Sequence, residues 1–152
     1  MIKNIFEEQV CNEIIQRINT LTTKSERLWG SMSVDQMLAH CNMPYAYTFM
    51  PEQFKKPNVF VKFLLKNFVK KMVVSPNPYK QNERTSPSFI INNSRDFDKE
   101  KSILVANIKK VQQLGVDHFE GEDNFSFGKM TAKGWSTMFY KHLDHHLRQF
   151  GV

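Results

Sequence analysis

Three of the five histidines fall within the last turns of the chain, in the run His142-Leu143-Asp144-His145-His146-Leu147-Arg148-Gln149. On a helix, His142 and His146 stand one turn apart on the same face and can grip one metal ion. Neutral imidazole is a good ligand for zinc, nickel, iron or copper. With a third imidazole, a zinc- or nickel-like ion keeps open positions for water or a substrate atom. It could lower the pKa of bound water to ~7, activate a thiolate or polarise a carbonyl. Hydrolysis and thiol transfer are the chemistries these residues put within reach.

The helix that carries the pair places it on an apolar face. With Trp135 at zero and about 100° per residue, Phe139 falls at about +40°, His142 at about −20°, His146 at about +20° and Phe150 at about +60°. His145 lies at the edge, about −80°, while Lys141, Asp144 and Arg148 fall on the far side. A buried polar group without a partner costs ~1–3 kcal/mol, so two histidines in a core need either a metal or hydrogen-bonding neighbours. The stacked pair favours the metal. A third ligand has to come from elsewhere: His40, beside Met37 and Met43, is the best candidate and His118 the alternative, as a ligand or a pocket residue. Tyr47 lies about two turns beyond His40 and could donate a proton, although a core aromatic is the simpler role. Trp135, Trp29 and Tyr45 are further candidates for a pocket wall. Asp35 and Asp144 read as charges on helix surfaces.

Five elements have to position these groups. Phe6, Val10, Ile14 and Ile18 recur every four residues and predict an amphipathic helix over about Ile5–Leu21. Ser33-Val34-Asp35-Gln36 has the form of a capping box and starts a second helix; Pro44 predicts a kink or an end near Asn42. Residues 59–74 form a basic, apolar helix, with Phe60, Phe63, Leu64, Phe68 and Met72 against Lys62, Lys66 and Lys70. It reads as a solvated lysine face over a packed core. Residues 75–95 are rich in Pro, Asn and Ser and predict a long connection. Asp96 caps a fourth helix with Ile103, Leu104, Ile108, Val111 and Leu114 inside and Gly115 at its end. A loop from Val116 to Met130 precedes Thr131, the cap of the last helix. Long helices and no strand pairs predict an all-α fold, a bundle of four main helices with long connections.

At 152 residues the chain is expected to form one domain spanning its whole length. Its 41% hydrophobic and 24% charged content is ordinary for a soluble protein. No stretch approaches the ~18–20 apolar residues of a membrane span. No secretory signal is visible, and a cytoplasmic protein with reduced Cys11 and Cys41 is the expectation. The net charge of +6 favours solubility and weak attraction to anions. No nucleic-acid motif is present, and neither nucleic-acid nor membrane binding is expected. A homodimer is compatible with the 12% aromatic content and eight methionines.

The run Lys141-His142-Leu143-Asp144-His145-His146-Leu147-Arg148-Gln149-Phe150 resembles the C-terminal signature of the DinB/YfiT-like four-helix proteins, and more narrowly an uncharacterised bacterial branch of them. Trp29-Gly30-Ser31-Met32-Ser33-Val34-Asp35-Gln36-Met37-Leu38-Ala39-His40 is similar to the other landmark of that branch, and the stretch from His118 to Trp135 is similar too, with a longer acidic loop at Gly121–Asn124. The resemblance covers nearly the whole chain. It implies an up-down-down-up bundle whose divalent metal, zinc or nickel, is held by His40, His142 and His146; the family pattern sets its second ligand three residues before the glutamine, which selects His146 over His145. It also implies a metal-dependent hydrolase or thiol S-transferase acting on a small molecule. The alternative is a non-catalytic helical protein that binds partners or dimerises, with a basic amphipathic surface helix.

Overall fold

A computed structural model describes residues 2–83 and 85–152. It is mostly helical, with one two-stranded hairpin. Helix α1 spans Glu8–Thr20, α2 Val34–Phe49, α4 Phe97–Phe119 and α5 Ala132–Gln149. Between α2 and α4 lies α3, which begins as an α-helix at Val59–Leu64, widens to a π-helix at Leu65–Val69 and closes with Lys70–Val73. No described helix is long and apolar enough to cross a membrane.

The caps follow from local chemistry. Ser33 donates its backbone N–H to Gln36 Oε1 at 3.0 Å, the Asp96 carboxylate accepts from Lys99 N, and Thr131 Oγ1 accepts from Gly134 N. Each satisfies a helix-end group that would otherwise lack a partner. The expected end of α2 near Asn42 does not occur. Pro44 removes one backbone donor, but α2 continues to Phe49 because Leu38, Cys41 and Tyr45 bury its face on both sides of the proline. Thr48 adds a hydroxyl bond to the Pro44 carbonyl at 2.7 Å.

Helix α4 packs against α1, α2 and α5, and α5 packs against α1 and α2. The stripe Val10, Ile14, Ile18 of α1 meets Leu104, Ile108 and Val111 of α4 in one core. Full burial of such a side chain stabilises by about 1.5–3 kcal/mol. An aromatic stack fills the centre: Trp135 lies 5.2 Å from Phe119 and 5.6 Å from Phe139, and Tyr45 stacks on Phe139 at 4.8 Å. Gly115 does not end α4. Its φ of +70° interrupts the helix, which then resumes for one turn. That turn drives Phe119 into the aromatic core, against Phe6 at 5.3 Å. The loop expected from Val116 is therefore shorter. It contains the hairpin of β1 (Asp123–Asn124) and β2 (Gly128–Lys129), turned by Asn124 Oδ1 accepting from Ser126 N and Phe127 N.

Two further expectations are overturned. Lys141, expected on the exposed side of α5, is buried, and its ammonium donates to the carbonyls of Met72 and Ser75 at 2.6 and 2.9 Å. Those carbonyls at the end of α3 attract a cation. Second, Phe60, Phe63, Leu64, Phe68 and Met72 do not face a core. The inward side of α3 is Leu65, Val69 and Val73, and the predicted stripe is exposed.

Candidate metal centre

The three histidines arrive from two helices. Helix α2 carries His40 on its buried side next to Met37 and Cys41, and α5 carries His142 and His146 one turn apart. Their rings lie 4.5–4.9 Å apart, centroid to centroid. One nitrogen from each falls within 4.8 Å of the others, so the three are positioned to hold a metal ion. His40 and His146 are buried and His142 is half-buried.

The surrounding hydrogen bonds determine the tautomers. His40 Nδ1 lies 2.9 Å from the Phe89 carbonyl, which can only accept, so Nδ1 carries the proton and Nε2 the lone pair. Gln149 Nε2 donates to the Trp29 carbonyl at 2.7 Å, which fixes the amide's orientation and turns Oε1 toward His146. His146 Nδ1 sits 2.9 Å from that oxygen and is its donor. Nε2 of His146 is again a free lone pair. His142 Nε2 lies 3.0 Å from His40 Nε2. A neutral pair can share one proton across that contact, and among the described residues no carboxylate belongs to the cluster. Donation of the second ring nitrogen to a carbonyl is how proteins orient ligating histidines and raise their basicity. A tetrahedral ion with bonds of about 2.0–2.1 Å spaces its nitrogens roughly 3.3 Å apart. The 3.0 Å between His40 Nε2 and His142 Nε2 lies near that spacing, and His146 offers a nitrogen within 4.8 Å of its neighbours' ligand atoms.

Burial pushes the imidazoles of His40 and His146 below the usual histidine range; His142 is pushed well below it, by burial and by the neighbouring His146, His40 and His145. All three are therefore neutral at pH 7, the form that ligates metal.

The structure separates the remaining candidates. His145 borders the cluster, its ring edge-on to His146 at 5.0 Å, but it is not one of the three that converge; it also meets Trp29 at 6.0 Å and Tyr79 at 5.7 Å. His118 is exposed and rests edge-on against Phe119. Trp135 belongs to the aromatic core. Tyr47 stacks on Phe89 at 5.3 Å, and Phe89 meets His40 edge-on at 5.8 Å, so one ring stands between Tyr47 and the cluster. Asp144 pairs with Arg17 at 2.8 Å. Two open depressions along α1, one around Gln9 and Asn12 and the other around Arg17 and Val152, share no residue with the histidines.

Sequence reasoning missed three supporting groups. Gln149 follows His146 by three residues on one helix, a spacing that places the two side chains together. Gly30 has φ +80°, and a Cβ there would come within 2.3 Å of Gln149 Nε2. Glycine is thus required where the loop passes the amide. The Phe89 carbonyl had no local signal, since it reaches His40 across 49 residues of chain.

No curated protein and no solved structure matches the chain. A family described as "Protein of unknown function (DUF1569)" matches residues 6–151, and with that match over nearly its whole length the chain belongs to this family.

Proposed function

We propose that the protein is a metal-dependent enzyme that holds a divalent ion, zinc or nickel, through His40, His142 and His146. The observation that carries this reading is the convergence of the three imidazoles, with the Nδ1 groups of His40 and His146 both committed to protein acceptors. A histidine cluster without a neighbouring carboxylate concentrates lone pairs, and a cation is what such a cluster binds best. When bound, the ion supplies Lewis-acid chemistry that activates a water or thiol or polarises a carbonyl. The rest of the task falls to the chain. Gln149 and the Phe89 carbonyl hold two imidazoles in their ligating tautomer. The Phe89 ring covers His40 on one flank, and the partly exposed His142 is where a small substrate would approach.

The same reading takes α1, α2, α4 and α5 as the four helices of a DinB-like bundle, with α3 and the hairpin as insertions in its connections. The sequence resemblance and the two-helix origin of the histidines support this. It brings the activity range of that superfamily, hydrolysis and thiol S-transfer, to this chain.

Elemental analysis of the purified protein tests the metal site. Near-stoichiometric zinc or nickel is expected in the wild type and in His145→Ala, with loss in His40→Ala, His142→Ala and His146→Ala. Wild-type protein that stays metal-free after reconstitution would overturn the reading, and equal loss in His145→Ala would overturn the ligand assignment. Metal-loaded protein would then be assayed for hydrolysis and for thiol transfer.

A further inference from the structure

Among the described residues, seven of the twelve exposed large hydrophobic side chains belong to α3: Val59, Phe60, Val61, Phe63, Leu64, Phe68 and Met72. Val59 is 88%, Phe60 71% and Phe68 66% exposed. Scattered apolar side chains on a surface need no explanation, but a concentration on one helix marks an interaction site. The helix is not loosely attached. Its inward residues Leu65, Val69 and Val73 pack on the core, its end is bound by the buried Lys141, and Lys70 donates to the Lys129 carbonyl. A well-anchored helix thus keeps its phenylalanines outside.

The charge of the same region is one-sided. Residues 53–82 contain Lys55, Lys56, Lys62, Lys66, Lys70, Lys71 and Lys80 and no Asp, Glu or Arg, a charge of +7. The whole chain carries +6, so the rest sums to 6 − 7 = −1. All of the protein's basicity therefore resides in the thirty residues around the exposed ridge. All but Lys70 of these lysines are exposed, and none pairs with a carboxylate among the described residues.

We propose that α3 docks the protein onto an anionic lipid surface, with Phe60, Phe63 and Phe68 dipping into the acyl boundary and the lysines against the headgroups. Interfacial helices combine these two features, and lysine stems extend along the apolar layer while their ammonium groups reach the anions. A second copy of the chain is a poorer occupant, since a symmetric contact on this face would set the lysine clusters of the two copies against each other. A nucleic acid is poorer too: the ridge has no arginine for bidentate phosphate contacts, and four of its seven exposed apolar side chains, Val59, Val61, Leu64 and Met72, offer no stacking plane beside the three phenylalanines.

Co-sedimentation of the full-length protein with vesicles tests this. Binding is expected to vesicles of mixed phosphatidylglycerol and phosphatidylcholine at low salt, and not to phosphatidylcholine alone. Partitioning should fall about fivefold for each of Lys62→Gln and Lys66→Gln, and about tenfold or more when Phe60→Ala, Phe63→Ala and Phe68→Ala are combined. The combined variant should keep its thermal midpoint, its helical circular dichroism and the wild-type metal content, which separates this face from the histidine site. Absence of binding to anionic vesicles at low salt would overturn the proposal, as would binding that ignores the phenylalanines. A wild-type dimer in sedimentation velocity that the triple variant dissolves would overturn it in favour of self-association. Tighter binding to a single-stranded oligonucleotide than to the vesicles would overturn it in favour of nucleic acid.

Discussion

Helices α3 and α5 are both amphipathic, and each mixes aromatic residues with nitrogen-bearing side chains. Their fates are opposite. In α5 the aromatic stripe of Trp135 and Phe139 is sealed in the core, and two histidines at its end are drawn inward with it. In α3 the aromatic residues stand in solvent and the apolar contact with the protein is the narrow line of Leu65, Val69 and Val73. The π-helical segment of α3 belongs to this difference. Its wider turn breaks strict α periodicity, and such segments often occur at functional sites. A helical period reports which residues share a face. It does not report whether that face meets the chain itself, a ligand or another surface.

Paired truncations give the sharpest form of this contrast. Phe139→Ala, on the buried stripe of α5, should cost about 3–5 kcal/mol, as large-to-small core substitutions do. Phe60→Ala, at the same chemical change on α3, should stay within about 0.5 kcal/mol. Urea unfolding of the two variants decides it, and similar losses at both would mean that α3 packs more tightly in solution than its exposure indicates.

Gln149→Ala probes the other end of α5. It removes the acceptor of His146 Nδ1 while leaving every proposed ligand in place. Metal affinity should fall about 10–100-fold, the usual consequence of losing an outer partner. Competition titration with a chromogenic chelator measures this. An unchanged affinity would show that the helix alone orients His146.

The response to acid is smaller and again separates the two regions. Folding holds His40, His142 and His146 below the ordinary histidine range. The unfolded chain therefore binds protons first, below about pH 6.5, while the folded cluster stays neutral. Stability of the metal-free protein is then complete above that pH and declines as the pH falls toward the depressed folded values. Each such histidine steepens the decline by up to about 1.4 kcal/mol per pH unit. Urea midpoints measured between pH 7 and 5 test the slope, and His142→Gln should flatten it. Lys62→Gln on α3, which removes no histidine, should leave the slope unchanged.

Much of this organisation is legible in the order of residues alone. The four-residue spacing of Phe6, Val10, Ile14 and Ile18, the caps at Ser33, Asp96 and Thr131, and the placement of His142 and His146 on an apolar face all arise from interactions within a few residues of chain. Pro44 and Gly115 mislead because their local preferences are outweighed by burial of Tyr45 and Phe119, side chains whose partners are distant in sequence. Lys141 misleads because a helical wheel has no knowledge of the carbonyls of Met72 and Ser75 waiting at the end of another helix.

By itself, then, the sequence determined the helical segments, most of their ends and the set of histidines worth considering, because hydrophobic period and capping are encoded over a turn or two of backbone. Only the tertiary structure decided that His40 converges with His142 and His146 while His145 borders the cluster and His118 lies exposed, that Phe89 and Gln149 set the tautomers, and that the ridge of α3 is left uncovered. Those outcomes depend on which surfaces the packed core brings together across tens of residues, and no local pattern carries that information.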